Sequence, residues 1–416
     1  MDKKRNLKWI IWSLAAVFYF YEFVLRVSPS VMVFELMKSF SITASAVGVL
    51  SAFYLYAYAP LQLPVGMLLD RFGLKKVLSI ASIGCGIGAL FFSIALNISL
   101  AAFGRFLIGA GSSFAFIAMV YVSTHFFERE KRGFLIGIAN SLAMLGASVG
   151  SGPLSSVIQS IGWRPTIFSF GVFGVLLGIS IYFVLRIDIK EEKTEDEISK
   201  KKHHIFEHLK KVAKQKSSWI NGFIALLFYV TTTGFAGLWG ISFIETSYSV
   251  TKQVAGYSIS MVFAGWLVGG PLMGIFSDFT KKRKNIIRIG ILGTLISLLF
   301  VIYTTFIPIY FVYALLFLVG FFSSAELLSF SLAIELNSFE TKATAAAFTN
   351  FLISCGDAVV QPLIGFLLDL SWSGKVIDGI RSYSMRDYQI ALSILPIALF
   401  FAFILLFFIK EKKVTS

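Results

Sequence analysis

Five ionisable residues stand inside long apolar stretches of this chain: Glu22, Arg26, Arg105, Glu326 and Asp357. A charge in such a stretch costs about 2.5–3.5 kcal/mol on insertion scales, so it marks a function by default. Arg26 follows Glu22 by four residues, which puts both on one helix face. Its planar guanidinium suits a carboxylate or a phosphate. Alternatively, Glu22 and Arg26 only neutralise each other. Asp357 stands in Cys355-Gly-Asp-Ala-Val-Val-Gln361-Pro362. A carboxylate there could take up and release a proton during a working cycle, and Glu326 is its rival as proton carrier. Either could instead be a buried group held by Ser, Asn or backbone. Tyr19, Tyr54, Tyr58, Gln62, Asn140, Tyr229, Thr232, Trp239, Asn350 and Gln361 are the polar and aromatic positions that could line a cavity around these charges. Tyr and Trp also collect at membrane interfaces for reasons unrelated to ligands.

Long apolar elements must position these residues. The chain has 416 residues, 56% of them hydrophobic and only 14% charged. Soluble domains carry about 25% charged residues. A spanning helix needs about 20 mainly apolar residues. Twelve such segments are predicted, near 9–36, 45–69, 75–96, 99–125, 134–158, 165–186, 218–245, 253–277, 285–304, 308–334, 343–368 and 388–409. They are apolar on every face, unlike the short alternating strands of a membrane barrel. The prediction is an all-α membrane protein. Two Cys and four His leave little for a disulfide framework, a zinc cluster or haem ligation, and no cofactor or metal is expected. No Gly-x-x-x-x-Gly-Lys-Ser/Thr loop is present, which argues against direct drive by ATP. A membrane-embedded enzyme would need convergent nucleophile, base or metal ligands, and no catalytic residue is nominated.

The 37 Lys and Arg set an orientation. Most fall at the N-terminus (Lys3, Lys4, Arg5, Lys8), around Arg71, Lys75 and Lys76, around Arg129–Arg132, from Arg186 to Lys216, around Lys281–Arg288 and after Lys410. Few fall in the alternate loops. Positive loops stay inside, so both termini and the central loop are expected in the cytoplasm, with the protein multi-pass in a plasma (bacterial inner) membrane. This asymmetry accounts for the net charge of +14 without a nucleic-acid partner. The basic start runs straight into the first helix with no small-residue cleavage site, so that helix is expected to be retained. The polar break divides the chain into an N-terminal bundle (1–186), a linker (187–217) and a C-terminal bundle (218–416). Within the break, Ile205–Val212 could be a short amphipathic helix on the membrane surface. His203, His204 and His208 beside Glu207 read as a solvated basic face rather than a metal site.

The halves repeat weakly. Gly66-Met-Leu-Leu-Asp70-Arg71-Phe-Gly73-Leu-Lys75-Lys76 joins the second and third helices, and Gly274-Ile-Phe-Ser-Asp278 joins the eighth and ninth with the same Gly–Asp spacing. Repeated halves are a transporter signature. Gly66 would let two helices approach and Gly73 would permit a tight turn. Asp70 at a helix end could face another helix's N-terminus or pair with Arg.

The loop Gly66–Lys76 resembles, at every fixed position, the G-x-x-x-D-R-x-G-x-[RK]-[RK] motif of the major facilitator superfamily. Arg105-Phe-Leu-Ile-Gly109 resembles its R-x-x-x-G element, and Gly146-Ala-Ser-Val-Gly150-Ser-Gly152-Pro153 its Gly-rich, Pro-ended element. The resemblance covers nearly the whole chain. It implies two pseudo-symmetric six-helix bundles, a central cavity and alternating access. It implies gating by Gly66, Asp70, Arg71, Gly73, Lys75 and Lys76, with Asp278 as a weaker copy. It places Gly146, Gly150, Gly152 and Pro153 at the interface between bundles and ties Arg105 to proton coupling. In the organic-anion and organophosphate branch, the first helix carries an anion-binding Arg, and Arg26, 44 residues ahead of Asp70, resembles it. Phosphate binders of that branch add a second Arg on the seventh helix, which is missing here. The expectation is therefore a monomeric, proton-coupled secondary transporter of a small organic anion or zwitterion. The alternatives are an exporter of drugs or siderophores, a dipeptide carrier, or a non-transporting sensor.

Overall fold

The computed structural model describes residues 2–62, 64–185, 207–304 and 306–409; the side chains of residues 2–6, Asp70 and Phe339 lie outside that description. Among the described residues, twelve helices are long and apolar enough to cross a membrane. We number them spans 1 to 12: Leu7–Val31, Ala44–Leu61, Leu74–Ile94, Ile98–Phe126, Arg129–Ile161, Trp163–Val184, Lys216–Tyr248, Lys252–Thr280, Arg283–Tyr303, Ile309–Leu336, Lys342–Ser371 and Met385–Leu406. The face with the basic loops is called the basic side and the opposite face the far side. The only strands among the described residues form a two-residue hairpin, Val376–Ile377 with Ile380–Arg381, in the far-side loop between spans 11 and 12.

All twelve predicted segments are helical, and the departures lie at interruptions. The first helix was expected to run to 36. It ends at Val27, becomes a 3-10 turn over Ser28–Val31, and a separate helix follows over Val33–Phe40. Pro29 lacks the N–H that would bond the Leu25 carbonyl, so the α-ladder stops there. The second helix was expected to run to 69, but it ends at Leu61 and resumes over Val65–Phe72. Pro64 breaks it for the same reason. Span 7 widens into a π-helix over Thr232–Trp239, and span 10 tightens into a 3-10 turn over Ser324–Leu327. Interruptions of this kind inside helices concentrate at functional sites and hinges.

Glycines let the helices touch backbone to backbone, as expected where no hydrophobic effect drives association. A Cβ on Gly109 of span 4 would lie 1.9 Å from the Tyr54 carbonyl oxygen of span 2. A Cβ on Gly320 of span 10 would lie 1.8 Å from the Val262 carbonyl oxygen of span 8. The same contact therefore recurs six spans later, the structural counterpart of the weak sequence repeat. The expected close approach at Gly66 is absent: a Cβ there meets nothing within 4 Å. Gly73 does make the turn, with φ of 78°. Within the predicted linker, the last described part is helical, and Val212 is buried with Ala333, Ala345, Phe348 and Leu352 of spans 10 and 11. That end packs on the second bundle instead of lying free on a surface. His203, His204 and Ile205 fall outside the described residues.

The halves meet along spans 2 and 11 and along spans 5 and 8. Hydrogen bonds and ion pairs between the halves join them near mid-membrane and towards the far side. These include Arg26–Asp357, Ser148–Ser260, Glu35–Lys252, Lys38–Asp378 and the bonds from Ala44 and Ser45 to Tyr383 and Asp369. The molecule is closed on the far side.

Candidate functional site

The site is built where span 1 breaks. Pro29 orphans the Leu25 carbonyl, a polar group deep in the protein that needs a donor. The Ser28 hydroxyl and the Arg105 guanidinium both donate to it, each at 2.9 Å. Arg105 also donates to the carbonyls of Arg26 and Ser51 at 3.4 Å and lies over the Tyr54 ring at 5.2 Å. Its guanidinium is thus spent on backbone at the end of the first helix, while its assignment to proton coupling rests on the resemblance alone. Losing it would remove bonds from a charged donor to three buried carbonyls, each worth about 1.5–3 kcal/mol. Arg105→Met is therefore expected to lower the stability of the purified protein by roughly 3 kcal/mol, read as a shift in thermal midpoint. An unchanged midpoint would show that the break in span 1 holds its shape without Arg105.

Fixed in this way, Arg26 projects into a cavity lined by Phe23, Arg26, Val27, Met144, Tyr229, Thr232, Thr233, Gly237, Phe263, Trp266 and Gln361. Its guanidinium lies 5.2 to 5.7 Å from the ring centres of Phe23, Tyr54 and Tyr58. Its carboxylate partner is Asp357 of the opposite bundle, Nη2 to Oδ2 at 3.5 Å. Glu22, one turn earlier, instead accepts a hydrogen bond from Tyr54 at 2.9 Å. Asp357 is 1% exposed, and its other oxygen accepts the Thr233 hydroxyl at 2.5 Å. Thr233 belongs to the π-helix of span 7, as do Thr232 and Gly237. The interruption in span 7 therefore faces the interruption in span 1 across the cavity. Among the described residues, Arg26 is the only cation in the lining.

The predicted site residues divide into three groups. Arg26, Tyr229, Thr232 and Gln361 line the cavity, and Tyr54 and Tyr58, stacked at 5.6 Å, flank Arg26. Tyr19 sits one layer away, its hydroxyl on Asn140 at 3.4 Å. Trp239, Asn350 and Gln62 do not line the cavity. Trp239 is fully buried with its indole N–H on the Gln361 carbonyl at 3.0 Å, so it packs spans 7 and 11 together. Asn350 lies two turns before Asp357 towards the basic side, and Gln62 lies past the end of span 2. Glu326 is buried in the 3-10 turn of span 10, its Oε1 without a hydrogen-bond partner. The sequence reading missed Phe23, Val27, Met144, Thr233, Gly237, Phe263 and Trp266. The run Thr231-Thr232-Thr233-Gly234 inside an apolar span was the available signal for Thr233.

The loop residues are engaged locally. Lys75 lies over the Tyr182 ring at 4.3 Å, and Arg71 and Lys76 are exposed. Asp70 falls outside the residues whose side chains are described. Asp278 pairs with Arg283 of its own bundle at 3.5 Å, and Arg283 pairs further with Glu335. Of the glycines expected at the bundle interface, only Gly152 is there, its Cβ position 2.6 Å from Ser260 Oγ and 2.8 Å from the Tyr257 ring. Gly146 and Gly150 face Phe20, Val24 and Val27 of span 1 within their own bundle. Pro153 is partly buried in span 5, which continues through it. Helix-face geometry explains the split, since Gly146 and Gly150 share a face that Gly152, two residues on, does not.

Comparison with known proteins agrees with this architecture. The chain is 25% identical over 323 residues to the probable sulfoacetate transporter SauU of Cupriavidus necator, covering 74% of each chain. It is 24% identical over 411 residues to a probable hexose phosphate transport protein of Chlamydia trachomatis, covering 89% of this chain and 88% of that one. Among solved structures, a bacterial homologue of the human lysosomal transporter Spinster, in an inward-facing and occupied conformation, superposes with a TM-score of 0.78 at 14% identity, covering 98% and 97% of the two chains. The family profile described as Major Facilitator Superfamily matches residues 11–243 and 222–416. With twelve spans in two bundles around a cavity, the chain belongs to the major facilitator superfamily and is a multi-pass secondary transporter.

Proposed function

We propose that the protein carries a small organic anion with a carboxylate or sulfonate head, coupled to a proton, by alternating access. The observation that carries this reading is the Arg26–Asp357 pair across the two bundles. With Asp357 ionised, the pair closes the empty site with no net charge. When a proton settles on Asp357, Arg26 loses its counter-charge and the anionic head of the substrate takes that place. The loaded site then holds one proton and one negative charge. Release of the substrate returns Arg26 to Asp357 and expels the proton. A buried charge that loses its partner costs about 3–5 kcal/mol, so the cycle disfavours an empty carrier that keeps its proton.

The single cation in the lining supports a carboxylate or sulfonate over a phosphate ester, whose charge of about −2 calls for a second. Phe23, Phe263 and Trp266 supply apolar surface for the rest of the solute. SauU is a probable sulfoacetate transporter; sulfoacetate carries both kinds of head, but with two negative charges, so a singly charged carboxylate or sulfonate matches one cation better. The basic loops support an orientation with both termini in the cytoplasm of a bacterium, which makes the closed far side the outer one. The loop Gly66–Lys76, with Asp70, is the proposed gate of the basic side.

The test is thermal stabilisation of the purified protein by sulfoacetate, a monocarboxylate, glucose 6-phosphate, a dipeptide and a cationic amphiphile. A binder raises the midpoint by mass action. Stabilisation by the carboxylate or sulfonate is the expected result. Stabilisation by the cationic amphiphile alone would replace this reading with that of an amphipathic exporter.

A further inference from the structure

The end of span 11 repeats the order of residues at the end of span 2. Gln361, Gly365, Leu367-Leu368 and Asp369 stand at the same offsets as Gln62, Gly66, Leu68-Leu69 and Asp70. The two copies lie on opposite faces of the membrane, because spans 2 and 11 cross it in opposite directions. The second copy is in contact with the other bundle. A Cβ on Gly365 would lie 2.4 Å from the Ala44 carbonyl oxygen and 3.0 Å from Ser45 Cα, so the two helices touch there through backbone.

This contact serves the start of span 2. The first N–H groups of a helix have no partner within it. Thr43, the N-cap of span 2, supplies no side-chain hydrogen bond. The caps come instead from the opposite bundle. Asp369 Oδ2 accepts the Ser45 N–H at 2.9 Å, and the Tyr383 hydroxyl oxygen accepts the Ala44 N–H at 3.1 Å. Tyr383 in turn donates to Asp369 Oδ1 at 2.5 Å, and Arg381 Nη1 donates to the same oxygen at 3.2 Å. Arg381 is held over the Trp372 ring at 4.5 Å and belongs to the far-side hairpin. The carboxylate also faces the positive end of the span 2 helix dipole.

We infer that Asp369, Tyr383 and Arg381 form a latch that holds the far side of the carrier closed. Opening that side must part spans 2 and 11 at their far ends, which breaks both bonds to Ala44 and Ser45 together. Asp369 keeps Arg381 and Tyr383 in either state, because both lie in the same bundle. The cost of opening therefore falls on the uncapped helix start. A group that only stabilised the fold would lower the stability of both conformers alike and leave their ratio unchanged, whereas a latch shifts the ratio.

The experiment measures that ratio and needs no substrate, so its outcome is independent of the proposed anion. Leu96 and Phe306, each 86% exposed, stand in far-side loops of opposite bundles. Spin labels at Leu96→Cys and Phe306→Cys, in a background with Cys85→Ala and Cys355→Ala, report the distance across the far side by pulsed electron resonance. Asp369→Ala is expected to raise the long-distance population relative to the short at least threefold. Tyr383→Phe, which removes only the hydroxyl, should shift it in the same direction and keeps the test valid if Asp369→Ala does not fold. Lys38→Ala, which breaks an exposed pair with Asp378, should leave the ratio as it is. Distance distributions in Asp369→Ala and Tyr383→Phe that match the unmodified latch would overturn the inference. An equal shift in Lys38→Ala would do so as well, because it would show that any far-side contact has this effect.

Discussion

Asp357→Asn is expected to abolish accumulation against a gradient while sparing exchange of substrate across the membrane. The amide can still accept the Thr233 hydroxyl bond that Asp357 accepts at 2.5 Å, so local packing survives. What is lost is the charge facing Arg26 and the capacity to give up a proton. The variant resembles the protonated carrier throughout its cycle. Arg26 stays available to an anion, so loading and exchange continue. Driven accumulation does not, because no proton is expelled when the substrate leaves. One proton per negative charge makes a gradient of one pH unit worth about 1.4 kcal/mol, or roughly tenfold accumulation. In vesicles with an acidic exterior, the unmodified protein should approach that ratio and Asp357→Asn should settle near one. If Asp357→Asn accumulates normally and Glu326→Gln does not, the proton belongs to span 10. Glu326 is the credible rival, being buried in an interrupted stretch of helix with an unpartnered oxygen.

The sequence and the structure agree best where a property belongs to one residue or one segment. Twelve spans were legible because an apolar run of sufficient length has few other stable forms in lipid. Arg26 and Asp357 were legible singly because each is costly where it stands. Their pairing was not, since it joins residues 331 positions apart through helix packing alone. Pro29 and Pro64 could have shortened the first two helices on sequence grounds, because each removes a ladder bond. The π-helix of span 7 has no comparable marker, yet it brings Thr233 to Asp357 and Gly237 to the cavity. Glycines misled in both directions. Gly66 fits a motif and touches nothing, while Gly365, in no recognised motif, meets the opposite bundle. Small size permits contact without saying which helix will use it.

Arg26→Lys tests the substrate class most directly. The exchange keeps one positive charge at the site and a side chain of similar reach. It removes the planar fork, which can hold a carboxylate or sulfonate through two parallel hydrogen bonds. It also removes the flat cation that lies among the Phe23, Tyr54 and Tyr58 rings. An ammonium in that aromatic niche is more strongly hydrated than a guanidinium and bonds an anion as a point charge. Affinity for an anionic ligand should fall about tenfold or more, equivalent to roughly 1.4 kcal/mol, with the thermal midpoint of the unliganded protein little changed. Glu22→Gln should have the smaller effect, because Glu22 reaches the site through its hydrogen bond from Tyr54. Calorimetry with a singly charged carboxylate on the two variants separates these outcomes. Should Arg26→Lys bind as tightly as the unmodified protein, the guanidinium does not hold the ligand. The aromatic lining would then carry the recognition, as an exporter of amphipathic compounds requires.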